Sequence, residues 1–364
     1  MTRAVCVVGA TGATGTRVAL LAAGAGLPVV LAGRNRAKLD ALAGELGGAE
    51  VRTVDLDRPP TLDAALDGVG VVANCVGPAT LTGRPVAEAA VRAGAHYLDT
   101  TGEPVFCLSL VEHLDGPARD RGVALVTAAG GSAVPGDLAA ACALADARPM
   151  GSALTLAYRI SGMRPSRGTL LSEIEITAGG AVIVEDGVLR RVPAGGPPRL
   201  LPSGCGVRLA VPDPVVVSRH CGLPSIEAFL VAPAARVVGR ALRGAERALG
   251  RPELRRSLRR LAARLPETDD GRPHGHFAID ATVWGRFGAV TTTARTSDVY
   301  GFTARAVVYL AARLADGRGV GGGGVRAPSQ VVDDVEKAAL ELGITLEHRT
   351  TAPGEPITAG HGGG

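Results

Sequence analysis

A glycine-rich loop near the start of the chain places the strongest constraint on the fold. It spans Gly9–Gly15 and lies between the apolar run Val5–Val8 and a helical pattern that continues to about Gly24. Glycine permits a tight turn and close approach of a pyrophosphate, and the N–H groups at the helix start favour phosphates. The loop predicts a dinucleotide site, and the alternative is a turn that serves only close packing. The candidate cofactor-binding residues here are Gly9, Thr11, Gly12, Ala13, Thr14 and Gly15.

Short apolar runs alternate with helical patterns through about the first 150 residues. The runs that follow Val5–Val8 are Val29–Ala32, Val51–Val54, Val69–Asn74, His96–Asp99 and Val123–Thr127. Such alternation is typical of βαβ units, in which helices cover both faces of a parallel sheet. We therefore predict an α/β first domain over residues 1–150 with a doubly wound parallel sheet.

The pattern changes near residue 150. Ala153–Ile160 alternates like a strand, and Ala181–Val184 and Val188–Val192 form a predicted hairpin around a Glu-Asp-Gly turn. Further strands are expected at Val207–Val211, Ile226–Val231, His276–Trp284 and Ala289–Thr296. Because these runs are rich in β-branched residues and are separated by Pro and Gly, they predict a mostly antiparallel second sheet.

A helical pattern returns at Gly301–Ala315, and another covers Gln330–Leu342. We interpret the glycine run Gly321–Gly324 as a linker, and we expect residues 350–364 to be a disordered tail.

The residues after the second apolar run select the cofactor. An acidic side chain at this position usually holds the ribose hydroxyl of NAD, but this chain reads Ala-Gly-Arg-Asn-Arg and has no acid there. A carboxylate would repel a 2′-phosphate, whereas Arg binds it through a charge-assisted fork. We therefore predict NADP(H), held mainly by Arg34 beside Asn35 with help from Arg36 or Lys38. The alternative is that these are solvated charges at a helix start.

Two later loops also follow predicted parallel strands, where ligands lie in open α/β sheets. Asp55-Leu56-Asp57 is expected to border the adenine, and the Asn-Cys-Val-Gly-Pro segment at 74–78 the nicotinamide ribose. The alternative for both is ordinary loop chemistry. These loops add Asp55, Leu56, Asn74, Cys75, Val76 and Gly77 to the predicted cofactor contacts.

The basic residues limit the chemistry, because only Lys38 and Lys337 among 39 of them are lysines. No Tyr is followed four residues later by Lys, so the Tyr-Lys pair of short-chain dehydrogenases is absent. Neither lysine is placed for a Schiff base. His274 and His276 form the one close His pair, and we interpret them as loop and strand residues rather than metal ligands. We predict no metal site.

The amino-acid composition limits the partners and the cellular compartment that we expect. Hydrophobic residues make up 46% of the chain, the net charge is +4, and ten aromatic residues are too few for a base-stacking surface. We expect no nucleic-acid binding. The six cysteines form no C-x-x-C pair, which predicts free thiols in a reducing cytosol. With no leader-like start and no uncharged stretch long enough for a span, we predict a cytoplasmic protein.

Candidate catalytic groups lie where the first domain meets the second in sequence. Asp137 begins an apolar helix after the sixth strand, and Tyr158 is a candidate proton donor. Helix capping is the alternative for Asp137, and packing or solvent contact for Tyr158. Glu103 is interpreted as ordering its loop. The predicted substrate-binding residues are Arg164, Thr169 and Ser172.

The segment Arg236–Arg264 contains ten Arg and two Glu, with apolar residues at helical spacing. A basic amphipathic surface of this kind is a candidate contact for a membrane or an acidic carrier protein. We favour the interpretation that this segment is a pair of solvated helices, in which the aliphatic parts of the Arg side chains cover the second domain. A second copy of the chain is a further candidate partner.

Several of these segments together resemble the saccharopine dehydrogenase-like reductases. The similarity includes Gly9–Gly15, the residues after the second and fourth strands, and Gly94–Glu103, and bacterial trans-acting enoyl reductases look the most similar. The resemblance implies a Rossmann domain interrupted by an inserted α+β domain at 151–298, with helices at 299–345 that return to the first domain. It also implies NADP-dependent hydride transfer to C=N, C–N or C=C bonds.

Three functions remain open. We favour an NADPH-dependent reductase that reduces an activated C=C bond of a small metabolite or biosynthetic intermediate. An imine reductase or saccharopine-type C–N oxidoreductase is the first alternative. A non-catalytic NADP-binding adaptor at a membrane or in a complex is the second.

Overall fold

The computed structural model describes residues 3–131, 133–147, 151–266, 273, 275–286, 288–319 and 321–351. The chain divides into two compact units. The first unit comprises the described residues within 1–101, 106–134 and 300–334, and the second those within 102–105, 135–299 and 335–364.

The strands alternate with helices in the early part of the chain and cluster in its later part. The strands are β1 (Val5–Val8), β2 (Val29–Gly33), β3 (Glu50–Thr53), β4 (Val71–Asn74), β5 (His96–Asp99), β6 (Ala124–Val126), β7 (Gly151–Ser161), β8 (Ala181–Glu185), β9 (Val188–Val192), β10 (Gly195–Leu201), β11 (Gly204–Arg208), β12 (Ser225–Val231), β13 (His276–Gly285), β14 (Gly288–Ser297), β15 (Gly324–Arg326) and β16 (Thr345–Thr351). The helices are α1 (Ala13–Gly24), α2 (Arg36–Glu45), α3 (Pro59–Leu66), α4 (Ala79–Ala93), α5 (Pro104–Asp120), α6 (Val134–Asp146), α7 (Arg167–Gly179), α8 (Asp213–Val217), α9 (Ala235–Leu249), α10 (Pro252–Ala262), α11 (Val299–Ala315) and α12 (Val335–Leu342).

The first unit is built on a parallel sheet with the order β3-β2-β1-β4-β5-β6-β15. The first six positions are those of a Rossmann fold, whose strand order reverses between β1 and β4. All four residues of β1 and of β4 are buried, as expected for strands covered on both faces. The predicted doubly wound α/β fold is therefore confirmed.

The seventh strand of this sheet corrects the linker interpretation of the late glycine run. The segment Gly324–Arg326 pairs in parallel with β6, and Val325 is 3% exposed. A strand of three residues that begins in a glycine run carries almost no periodic signal, so only its partner strand reveals it.

The second unit is built on a mixed sheet with the order β10-β11-β12-β7-β13-β14-β16, and β8 joins it beside β12. Neighbouring strands are antiparallel except for the parallel pair β12–β7. The predicted hairpin is present, and Asp186 and Gly187 make its turn with φ values of 51° and 77°. The prediction of a mostly antiparallel second sheet is thus confirmed. Strands β10 and β16 were not predicted from the sequence.

Two segments fall in a different unit from the one in which we expected them. Helix α6 belongs to the second unit from residue 135 onwards, and α12 and β16 belong there as well. The polar strand β16 joins the sheet of the second unit by pairing with β14. Helix α12 precedes this strand and belongs to the same unit, whereas we predicted that it returns to the first domain. Strand β16 also includes residues 350 and 351 of the predicted tail, whereas residues 352–364 lie outside the described part.

In the described part of the chain, no helix combines the length and the apolar character needed to cross a membrane.

Candidate functional site

The glycine loop after β1 is shaped by two close backbone approaches. Gly9 has a φ of +82°, and a Cβ there would lie 2.7 Å from Val76 Cγ2 in the loop after β4. A Cβ on Gly15 would lie 2.2 Å from the Gly9 carbonyl oxygen. Both contacts are closer than a side chain tolerates. These glycines therefore allow the loops at the strand-order reversal to meet and α1 to start directly against the turn.

The start of α1 presents its backbone N–H groups without a side-chain cap. Gly12 is the N-cap residue and makes no side-chain hydrogen bond. The first-turn residues Ala13 and Thr14 are half-buried, as is Thr11 before them. Because the first N–H groups of a helix lack intrahelical acceptors, this turn can accept a phosphate.

At the end of β2 the predicted 2′-phosphate residues have different surroundings. Arg34 is exposed and forms no ion pair among the described residues. Asn35 caps α2, because its Oδ1 accepts a hydrogen bond from the Lys38 backbone N–H at 3.1 Å. Arg36 pairs with Asp40 at 2.8 Å. Arg36 is therefore already paired, whereas the Arg34 and Lys38 side chains form no ion pair with the described residues.

The loop after β3 is ordered by its own polar groups. Asp55 Oδ1 accepts from the Asp57 backbone N–H at 3.1 Å, and the Asp55 N–H donates to Thr61 Oγ1 at 3.0 Å. Leu56 is half-buried and packs against the core of the first unit. These hydrogen bonds hold the loop in place within the protein. Its contact with the adenine stays a prediction.

The loop after β4 is anchored by the buried Asn74. Its amide donates to the Tyr97 hydroxyl at 3.1 Å and accepts from the Val76 N–H at 3.1 Å. Burial raises the pKa of the Cys75 thiol to about 12, so Cys75 is a neutral thiol at physiological pH. Gly77 is exposed. The buried Asn74 side chain therefore holds the conformation of the loop that we predict to border the nicotinamide ribose.

Sequence analysis missed the carboxyl group at the end of β5. Asp99 is buried, and its Oδ1 accepts from the Thr101 and Ala128 backbone N–H groups, both at 3.0 Å. Burial raises its pKa to about 6 although these hydrogen bonds favour the carboxylate. Its position at the carboxyl end of a parallel strand was the available signal, because ligands lie at that edge.

In the second unit the predicted catalytic Asp137 is fully buried and bonded to a histidine. It lies in the first turn of α6, and its Oδ1 is 2.7 Å from His220 Nε2. The His220 side chain is 14% exposed, whereas that of Asp137 is inaccessible. Of this pair only His220 reaches the surface; it follows α8 and carried no sequence signal.

The predicted proton donor Tyr158 faces a second buried carboxyl group, Asp213. Burial raises the pKa of Asp213 to about 8, the neighbouring Tyr158 hydroxyl opposes this rise, and the nearby Asp137 carboxylate adds to it. Burial and Asp213 also raise the Tyr158 pKa well above its usual value. A Cβ on Gly136 would lie 2.1 Å from Asp213 Oδ1, so a glycine is needed beside this carboxyl group.

The predicted substrate-binding residues make local contacts in α7 or lie just before it. The Thr169 N–H donates to Ser166 Oγ, the N-cap of this helix, at 3.1 Å. Ser172 Oγ donates to the buried Glu103 at 3.1 Å, which agrees with an ordering role for Glu103. Arg164 is exposed. Their contact with a substrate stays a prediction. Within the described residues no cluster of metal-ligating side chains occurs.

Comparisons with known proteins agree with this geometry. Residues 5–125 match the family model described as the saccharopine dehydrogenase NADP-binding domain. A trans-acting enoyl reductase of Mycobacterium tuberculosis is 35% identical over 136 residues, covering 36% of this chain and 32% of that protein. Another, of Mycobacterium ulcerans, is 33% identical over 114 residues, covering 30% and 27%. The matched part thus spans about a third of the length of these relatives.

A structural neighbour extends the comparison to both units. Saccharopine dehydrogenase (L-Glu forming) from Saccharomyces cerevisiae aligns with a TM-score of 0.59 and 16% identity, covering 96% of this chain and 100% of that chain. At this identity the similarity shows the fold alone. The chain has a Rossmann-type α/β fold with a second unit on a mixed sheet. The match of residues 5–125 to the saccharopine dehydrogenase NADP-binding domain confirms the resemblance drawn from the sequence.

Proposed function

We propose that this protein is an NADPH-dependent reductase that acts on an activated double bond of a small metabolite or biosynthetic intermediate. The observation that carries the proposal is the combination of the glycine loop at the β1/β4 reversal with Arg34, and no acid, after β2. NADPH, when bound, supplies a hydride to the acceptor carbon.

The residues at this edge fit the cofactor. Gly9 and Gly15 allow the loop after β4 and the start of α1 to pack closely around the turn. The first turn of α1 offers N–H groups to the pyrophosphate. Arg34 would hold the 2′-phosphate, and the absence of a carboxylate after β2 disfavours NAD. Asp55 and the loop anchored by Asn74 would border the adenine and the nicotinamide ribose.

The proton that completes a reduction would pass through His220, with Asp137 as its positioning residue. The Asp137 carboxylate lies 2.7 Å from Nε2 and orients the ring. Tyr158 stays a second candidate donor, because its raised pKa keeps the hydroxyl protonated. Positioning and one proton donor are the contributions that such a reaction asks of the protein.

Enoyl reduction is the favoured reaction because the similar curated relatives carry that name. Imine reduction is the alternative, since the structural neighbour is a saccharopine dehydrogenase. Single-turnover oxidation of NADPH with α,β-unsaturated and imine substrates separates the two. Turnover of any substrate excludes the purely adaptor role.

The cofactor assignment is tested by Arg34→Ala, with Arg36→Ala as the matched control. We expect Arg34→Ala to weaken NADPH binding by about tenfold or more, because it removes a charge-assisted phosphate contact, and to leave NADH binding unchanged. Arg36→Ala should leave both affinities nearly unchanged, since Arg36 pairs with Asp40. Fluorescence titration measures both cofactors. Unchanged NADPH affinity in Arg34→Ala would contradict the assignment.

A further inference from the structure

We propose that a groove between β10 and α9 in the second unit binds a ligand that carries two or more phosphate groups. The groove has a volume of about 620 Å³. One wall is Gly196-Pro197-Pro198 of β10, and the other is a row of four arginines of α9. The row consists of Arg236, Arg240, Arg243 and Arg247.

The groove exists because the helix lies directly on the strand. A Cβ on Gly239 would lie 2.5 Å from the Gly196 carbonyl oxygen, so the two backbones touch there. A Cβ on Gly196 would lie 3.1 Å from an Arg243 guanidinium nitrogen. The arginines recur three or four residues apart, which places them on one side of α9 along the groove. The row spans about 16 Å at about 1.5 Å per residue.

The four guanidinium groups are not neutralised within the described part of the chain. None of them forms an ion pair there, and the buried Nε of Arg243 has no hydrogen-bond partner. The one acid of α9, Glu246, accepts instead from the Ala194 backbone N–H at 2.9 Å. The charge of this row is therefore available to a ligand.

In the neighbouring helix α10, by contrast, three arginines lie close to acidic side chains. Its Arg255 and Arg259 lie 3.8 and 3.0 Å from the buried Glu175, and Arg256 lies 3.2 Å from Glu253. Like charges three or four residues apart weakly destabilise a helix, and an anion bound along the row on α9 would offset that repulsion.

Phosphate groups match this row better than other anions. A guanidinium forks onto two phosphate oxygens, and several forks in line engage successive phosphates of one ligand. A ligand with a single carboxylate would reach only part of the row. The concave groove also favours a ligand that enters it over a flat lipid surface, which leaves the predicted membrane contact as an outcome to be tested.

The test is calorimetric titration with tripolyphosphate, pyrophosphate and monophosphate. The groove variant is Arg240→Gln with Arg247→Gln, and the control is Arg260→Gln with Arg264→Gln, two exposed residues outside the groove. Both variants lose two positive charges, so general electrostatic attraction falls equally. We expect saturable binding that strengthens with phosphate number. The groove variant should lose about tenfold or more in affinity, and the control about twofold at most.

Further arms exclude other sources of the signal. Tripolyphosphate binding should persist in Arg34→Ala, because the cofactor loop is a separate phosphate site, and circular dichroism should show that both double variants are folded. Equal loss in the groove and control variants, or no binding, overturns the proposal. So does binding only to phosphatidylcholine–phosphatidylserine vesicles or only to polyglutamate. Failure of NADPH to bind would leave this outcome unaffected.

Discussion

The two units hold their candidate functional groups in opposite ways. In the first unit the glycine loop and Arg34 lie within the first 34 residues of the chain, at loops that follow strands of one parallel sheet. In the second unit Asp137 and His220 meet across 83 residues and are mostly buried. The first arrangement can be recognised from local sequence, whereas the second depends on how distant segments pack.

The largest effect should come from breaking the local arrangement in the first unit with Gly15→Ala. The new methyl would lie 2.2 Å from the Gly9 carbonyl oxygen, so the turn and α1 must separate. We expect a loss of about 1–3 kcal/mol in the free energy of unfolding and a loss of NADPH binding of about a hundredfold.

The matched control for that change is Gly24→Ala, at the other end of the same helix, where a Cβ meets nothing within 4 Å. It should be neutral or stabilising by up to about 1 kcal/mol, because alanine favours helix. Urea denaturation and NADPH titration measure both variants. Equal stability and affinity in the two variants would refute the close-contact account of the loop.

The next effect tests the packed arrangement in the second unit through His220→Gln. We expect turnover to fall by about a hundredfold or more, because glutamine keeps a hydrogen bond to Asp137 but cannot supply a proton. NADPH affinity should not change. A variant with normal turnover would make the His220–Asp137 pair a packing contact only.

The smallest expected effect concerns the pH dependence of the free energy of unfolding, which depends on a buried carboxyl group of the second unit. Burial raises the pKa of Asp213 from 3.8 to about 8. Stability from this group is therefore complete below pH about 4 and is lost as pH rises through about 8, because the unfolded state releases its proton first. Asp213→Asn should remove this loss and stabilise the protein at pH 8 by about 1–3 kcal/mol, with little change at pH 4.

Urea denaturation across this pH range measures the effect, and Asp186→Asn in the exposed hairpin turn is the control. Asn tolerates the positive φ of 51° at that position, so the control should leave the pH profile unchanged. An Asp213→Asn profile that still declines towards pH 8 would show that another group titrates.

Much of the first unit could be predicted because its signals are local. Strands such as β1 and β2 are short apolar runs, and Gly9 and Gly15 have steric reasons at the turn before α1. The Asn35 side chain caps α2. Asn before a helix is a common cap, so the same local reasoning could have reached that role, and its predicted cofactor contact stays a prediction.

The chain's own sequence determined the parallel sheet, the glycine loop between β1 and α1 and the hairpin at Asp186-Gly187, and it is the basis for predicting NADP(H). Tertiary structure alone decided that Gly324–Arg326 and Thr345–Thr351 are strands, that His220 lies beside Asp137, and that the arginines of α9 line a groove. The physical reason is that alternation, turns and caps depend on neighbours in sequence. Strand pairing, burial of a carboxyl group and the depth of a groove depend on neighbours in space.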